Sequence, residues 1–374
     1  MQKIPWSYPE IRGEELNEVL DSFRADWLTM GPKVAKFEHA MAQYLQVPYA
    51  VAVSNGTAAL DLALKALGIG PGDEIIVPAL TYIATPAAVS YQSAIPVFVD
   101  IEPQSFNLDP KKVESAIGPK TKAIIFIDYG GNPADIKQLQ SLAQRHGLIL
   151  LQDAAQSLGG IYAGRPLGAQ TMISTMSFHM AKVMTTVEGG MIFTHDADIA
   201  KELKIRRNQG ESGKYLHSHL GTNARMTDLA AAIGLAQVKK LLWMLEERQR
   251  VAQRYNSHFS SCDEIEVIRC QRPDSRNAYF FYPILVENRD AVAEHLKTKG
   301  IDTRIAYPMP VYEQGLYRSG RTLCRITGCS VAKRFTSRVI NLPIYPSLLD
   351  EQVDWIAAEV LNALSNTEVL EVVE

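Results

Sequence analysis

The chain has 374 residues, 47% hydrophobic and 21% charged, an ordinary globular composition with length for one large and one smaller domain. Its net charge of −3 excludes a global basic field for nucleic acid, and no polybasic tail is present. The first nine residues hold no apolar signal core, and no stretch approaches the roughly 20 apolar residues of a membrane span. Cys262, Cys270, Cys324 and Cys329 form no C-x-x-C pair, so neither zinc nor a disulfide framework is indicated, and a soluble cytoplasmic protein with reduced thiols is expected.

Residues 14–24 and 33–45 carry the apolar spacing of amphipathic helices. A strand at 49–53 runs through the turn Ser54-Asn55-Gly56 into an apolar helix at 57–67. Such a strand–turn–helix unit presents free backbone N–H groups at a helix start. A strand at 74–77, a helix at 85–93 and a strand at 97–99 follow. The strand at 123–127 ends at Asp128, and the strand at 148–151 runs into Gln152 and Asp153 after a helix at 135–146. This alternation predicts an α/β fold with a mainly parallel sheet of the seven-stranded type between helices. Ligands in such sheets gather beyond the carboxyl ends of the strands. The turn at 54–57, Asp153 and a loop at 177–182, between strands at 172–178 and 189–194, all reach that rim.

Residues 226–255 read as one long helix that carries the chain out of the first domain. A strand at 279–286 and a helix at 289–299 then predict a smaller α+β domain. The expected division is 1–250 and 251–374, with the N-terminal residues able to pack on the smaller unit.

Lys182 lies in the loop run Ser177-Phe178-His179-Met180-Ala181-Lys182. A lysine held between two strands can form a Schiff base with a carbonyl once desolvation or a nearby cation frees its amine. Taken alone it reads far more readily as a solvated surface charge in a hairpin, since most lysines are solvated. Other residues supply what a pyridoxal phosphate site needs: an acid for the pyridine nitrogen, a phosphate cup and a flat face for the ring. Asp153 is a strand-end carboxylate, Gly56 and Thr57 open a helix, and Ser177 adds a hydroxyl. Tyr82 offers a stacking face, and Gln156 lies one turn beyond Asp153. Each has a plainer reading: a capped turn at 54–57, a cap on a helix at 154–158 for Asp153, core packing for Tyr82.

Several ordered segments carry a resemblance beyond these residues. They are Asp26 to Glu38, Ser54 to Leu60, Gly70 to Pro78 and Thr81 to Thr85, then Gln152 to Ser157, Ser177 to Lys182, Gly221 to Met226 and Leu342 to Pro346. Through them the chain resembles the DegT/DnrJ/StrS family of pyridoxal-phosphate-dependent nucleotide-sugar aminotransferases, within the fold-type I enzymes. The resemblance implies Lys182 as the Schiff-base lysine and proton shuttle, with Asp153 on the pyridine nitrogen and Gln156 beside it. Thr57 and Ser177 would hold the phosphate and Tyr82 would cover the ring. Asn223 matches an asparagine that reaches the neighbouring subunit's phosphate, implying a homodimer with composite sites. L-Glutamate is the implied donor, leaving pyridoxamine phosphate for the second half-reaction with a nucleotide-linked keto sugar. No metal is expected. Trp27, Thr29, Met30, His179, Arg225 and Tyr312 are substrate candidates, and Arg206, Arg207 and Arg225 carry the chemistry for a diphosphate.

Three positions depart from the family pattern. Asp128 stands where a histidine is common and is kept as a possible site residue. Tyr312 falls in Pro310-Val311-Tyr312 where Pro-Leu-His is expected, and Val187 replaces a glycine beside Lys182. Lys182 argues against a dehydratase of the same family, which carries histidine there. The intact set of Lys182, Asp153, Thr57 and Ser177 argues against a regulatory homologue that binds the cofactor without turnover.

Overall fold

The computed structural model describes residues 3–270 and 272–371, with side chains described as far as residue 365. Helices α1 (Gly13–Arg24) and α2 (Pro32–Leu45) lead into strand β1 (Tyr49–Val53) and helix α3 (Gly56–Ala66). Then come β2 (Glu74–Pro78), α4 (Ala84–Tyr91), β3 (Ile95–Val99), α5 (Pro110–Ala116), β4 (Thr121–Ile127), α6 (Ile136–His146) and β5 (Ile149–Asp153). A small ribbon, β6 (Ile161–Tyr162) and β7 (Arg165–Pro166), precedes β8 (Ile173–Ser177), β9 (Gly190–Thr194) and α7 (Ala197–Arg207). Beyond the hairpin β10 (Glu211–Gly213) and β11 (Leu216–His217) lie α8 (Asp228–Lys239) and α9 (Leu241–Phe259).

The main sheet runs in the order β1-β9-β8-β5-β4-β2-β3 and ends on a strand from much later in the chain, Arg325–Ile326. Pairing is parallel from β8 through β3 to Arg325–Ile326, whereas β9 is antiparallel to both β1 and β8. The sheet therefore has eight strands where seven were expected. Its two faces follow from the two-residue alternation of strand side chains. Val51, Val53, Ile75, Val77, Ile125, Leu151, Ile173 and Ile192 bury one face under α3, α4 and α7. Ala52, Met176, Met191 and Phe193 face the other way, with Phe37, Met41 and Leu45 of α2. Glu38 ties α2 to this layer: it accepts from Ala52 N at 2.8 Å and from Arg207 Nη1 at 2.5 Å, and Arg207 also reaches Ala52 O at 2.6 Å.

The smaller unit has a three-stranded sheet, Glu266–Val267, Tyr282–Leu285 and Val339–Leu342, with the helices Arg289–Thr298 and Asp350–Glu371. Ile4 of the N-terminal segment packs in its core and pairs with Ile301, so the chain's start is bound to the unit formed by its end. The helix expected at 226–255 breaks at Lys240, and α9 runs straight across residue 250. Lys240 leaves helical geometry (φ −108°, ψ 8°) while its amine lies 2.6 Å from the buried Glu15. No glycine or proline marks the break. The strand expected at 279–286 shortens to Tyr282–Leu285, since Tyr279 turns to φ +50° with its N–H on Asn277 Oδ1 at 2.7 Å. Residues 154–158 form turns, not a helix.

Val187 takes φ +70° in the loop between β8 and β9. A β-branched side chain is a marked outlier there, at a cost of about 1–2 kcal/mol. Val187→Gly is expected to raise stability by up to about 1 kcal/mol after the freer unfolded chain is counted. The measurement is the urea midpoint, and a lowered midpoint would contradict it.

Candidate active site

The carboxyl ends of β5 and β8 lie side by side, with Asp153 paired to Thr175. Two residues on from Thr175, Ser177 points to the same side, toward the first turn of α3. Gly56 opens that helix against Ser177: a Cβ on Gly56 would fall 2.9 Å from Ser177 Cβ. Gly190 admits the same turn from below, because its own Cβ would stand 2.4 Å from Asn55 O. Asn55 caps α3 by accepting from Ala58 N at 2.8 Å, which leaves the first N–H groups facing the rim. Asn55, Gly56, Thr57 and Ser177 line one end of a cleft of about 700 Å³.

Lys182 is brought over this cleft by a tight loop. Phe178 N bonds Gly189 O at 2.8 Å, Thr186 N bonds Phe178 O at 2.9 Å, and Lys182 N bonds His179 O at 2.9 Å. Its Nζ has no hydrogen bond or ion pair among the described residues and lies 4.4 Å from the Phe280 ring centroid. Burial pulls the amine pKa down from 10.5 to about 8, and the Asp153 carboxylate opposes that fall. Asp153 thus keeps the amine more basic than burial alone would leave it. Asp153 accepts from Thr85 Oγ1 at 2.7 Å and Ala155 N at 3.2 Å. Burial raises its carboxyl pKa, while those two hydrogen bonds and Lys182 pull it back. Thr175 Oγ1, also on the cleft wall, is buried with no partner among the described residues.

These groups fit a phosphorylated pyridine aldehyde. The helix start with Thr57 and Ser177 suits a phosphate, the Asp153 carboxylate suits a ring N–H, and the free Lys182 amine suits an aldehyde. Tyr82 stands on the rim, 61% exposed, with an unobstructed ring face. Gln156 lies on the wall with both ends of its amide engaged, Oε1 to Gly130 N at 2.7 Å and Nε2 to Tyr307 Oη at 2.8 Å. His179 lines the rim as an exposed side chain, with Glu188 at 3.9 Å, and is not packed in the strand.

Other expected residues lie elsewhere. Asp128 is fully buried behind the sheet end, where its carboxylate accepts from Gln152 Nε2, Ser157 Oγ and Ala134 N at 2.7, 2.6 and 3.0 Å. It organises the backbone and does not face the cleft. Tyr312 packs against Phe98, ring centroids 6.0 Å apart, and also lies off the cleft. Arg207 is consumed by Glu38 and Ala52, and Arg206 by Glu202 and Leu220 O. Arg225 bonds Asn208 Oδ1 at 2.7 Å. Trp27 folds onto Met30 O, Thr29 O accepts from Asp228 N, and Met30 packs on the core, so that loop does not enter this chain's own cleft. Asn223 is exposed beside the β10–β11 hairpin, pairing with Asn208.

Sequence reasoning missed Trp6, Phe280, Phe281 and Tyr307, which line the same cleft as Asp153. They come from the N-terminal segment and the smaller unit. In the sequence they look like ordinary core aromatics, and only the doublet Phe280-Phe281 close to Tyr279 hints at a cluster.

The DegT/DnrJ/EryC1/StrS aminotransferase family model matches residues 9–361. The GDP-perosamine synthase of Caulobacter vibrioides is 36% identical over 371 residues, covering 96% of this chain and 97% of its own length. The dTDP-3-amino-3,4,6-trideoxy-alpha-D-glucose transaminase of Streptomyces venezuelae is 37% identical over 350 residues, covering 91% and 90%. The structure of S. venezuelae DesV in complex with a ketimine intermediate has a TM-score of 0.92 at 34% identity, covering 96% of this chain and 98% of that one. Given a family match over nearly the whole chain and relatives of this identity and coverage, the protein belongs to the DegT/DnrJ/EryC1/StrS aminotransferase family.

Proposed function

We propose that this protein moves an amino group from L-glutamate to a keto sugar carried on a nucleoside diphosphate, with pyridoxal phosphate as cofactor. The observation that carries this reading is the unpartnered Lys182 amine, its pKa near 8, within the field of Asp153 and in one cleft with the α3 N-terminus. Bound there, the cofactor supplies an aldehyde carbon for amines and a protonated ring that delocalises negative charge.

This chain's residues do the rest. Gly56, Thr57 and Ser177 hold the phosphate. Asp153, steadied by Thr85, would keep a proton on the ring nitrogen, with Gln156 to flank the ring and Tyr82 to cover it. Lys182 would hold the aldehyde through Nζ, and the same amine, once free, would move the proton at the substrate carbon. An amine pKa near 8 suits both directions, since neutral and charged forms are each well populated near neutral pH. A lysine rather than a histidine at 182 favours amination over dehydration. His179 on the rim is the substrate contact retained from the sequence expectations.

Asn223 lies off its own cleft, which supports a role toward a second copy. Beside it, Tyr215, Leu216 and Leu220 are 80%, 68% and 85% exposed, an apolar surface suited to cover by that copy in a homodimer. No helix among the described residues is long and apolar enough to cross a membrane. Cytoplasmic residence is part of this reading, and the four free cysteines support it through their fit to a reducing compartment. The unit up to about residue 250 carries the cofactor site, and the later unit, with the N-terminal segment, closes it.

Adding glutamate to the cofactor-loaded protein is expected to bleach its lysine-bound absorbance band. Nucleotide-linked amino sugars should do the same from the product side, and absence of bleaching by any amino donor would overturn the reading. Borohydride is expected to fix the cofactor on the peptide bearing Lys182, and Lys182→Ala should lose at least about 10²–10⁴-fold in turnover. Turnover surviving in that variant would contradict the assignment. Attachment of added cofactor to stripped protein should accelerate about tenfold per pH unit up to about 8 and then level, because only the neutral amine attacks. A midpoint above pH 10 would show that burial does not tune Lys182.

A further inference from the structure

Tyr307 stands on the wall of the cleft, and its hydroxyl is aimed by a short relay. Gly130 N donates to Gln156 Oε1 at 2.7 Å, and Gln156 Nε2 donates to Tyr307 Oη at 2.8 Å. The backbone N–H fixes which end of the amide faces which partner, since reversing the amide would set two donors against each other. The segment behind it has no slack: Gly130 sits at φ +62°, and a Cβ on Gly131 would fall 2.6 Å from Ala278 Cβ and 2.9 Å from Gln156 O. Tyr129 and Phe281 hold the Tyr307 ring edge-on, with centroids 6.0 and 6.5 Å away.

Because Tyr307 Oη accepts from Gln156, its own proton must be given elsewhere. Among the described residues no acceptor takes it. Burial and the nearby Asp153 charge raise the phenol pKa, so the proton stays on oxygen at working pH.

Tyr307 lines the main cleft with Lys182 and also a side cavity of about 210 Å³ with Thr81, Tyr82, Met309 and Gln314. Tyr307 borders both spaces, so a substrate with its reacting carbon in the main cleft and further bulk in the side cavity would lie against this residue. The compact amino donor does not need the side cavity.

We propose that Tyr307 is a specificity-determining residue whose hydroxyl donates a hydrogen bond to an oxygen of the sugar substrate. The proposal rests on the functional reading above and adds the group that distinguishes the sugar from the donor. Tyr307→Phe keeps the ring and removes the donor.

Three quantities test it: cofactor affinity by fluorescence, the glutamate half-reaction by absorbance, and the half-reaction with whichever GDP-, dTDP- or UDP-linked amino sugar converts the wild type best. The first two are expected to fall by clearly less than the third, because Gln156 keeps its bond from Gly130 N when the Tyr307 hydroxyl is removed. For the sugar half-reaction, kcat/KM should fall about 10- to 100-fold, the scale of one lost buried hydrogen bond. An unchanged sugar half-reaction overturns the proposal, and so does an equal loss in the glutamate half-reaction or in cofactor affinity. A wild type inert toward every donor and sugar removes the functional reading itself, an outcome distinct from a failure of the variant alone.

Discussion

Burying an amine costs free energy unless it gives up its charge or meets a carboxylate. At Lys182 both responses operate. Burial draws the pKa down to about 8, and Asp153 stops it falling further. Asp153 is itself buried and is kept serviceable by Thr85 and Ala155. Each group thus depends on the other's position, and both depend on two adjacent strand ends remaining in register. Much of the large unit serves that requirement. The pairing of Asp153 with Thr175 sets the depth of the site, and the tight loop from Phe178 to Gly189 returns Lys182 over it.

The smaller unit and the N-terminal segment complete the cleft. Ile4 is anchored in the small core, and two residues on Trp6 meets Phe281 at a tilt, with centroids 5.8 Å apart. The segment therefore couples the small unit to the cleft wall. Gln156 and Tyr307 bridge the two units directly. The lining that the smaller unit and the N-terminal segment contribute is consequently aromatic, and its Tyr307 hydroxyl is held by Gln156. That division suits a site in which one wall supplies proton chemistry and the other recognises the substrate.

The sequence made one half of this legible. Thr57, Tyr82, Asp153, Gln156, Ser177 and Lys182 sit at strand ends and turns, where local order along the chain foretells nearness in space. The parallel sheet was readable for the same reason, since strand and helix periods alternate cleanly up to Asp153. What escaped depends on distant partners. Trp6, Phe281 and Tyr307 reach the cleft through packing between units, which no local period encodes. Asp128 and Asp153 both end strands and cannot be told apart until Gln152, Ser157 and Ala134 are seen to surround only Asp128. Arg207 resembles its neighbour Arg206 in the sequence, yet Glu38 from a distant helix draws it into the core. Lys240, at the break between α8 and α9, likewise meets Glu15 from a distant helix.

The central claim is that this cleft carries nitrogen from an amino acid to a sugar. The most direct measurement is mass spectrometry of the sugar nucleotide after turnover with ¹⁵N-labelled glutamate and a nucleotide-linked keto sugar. The account predicts one ¹⁵N atom in the sugar, with 2-oxoglutarate formed in equal amount. A sugar that loses a hydroxyl without gaining nitrogen, or label that stays in glutamate for every sugar offered, would contradict it.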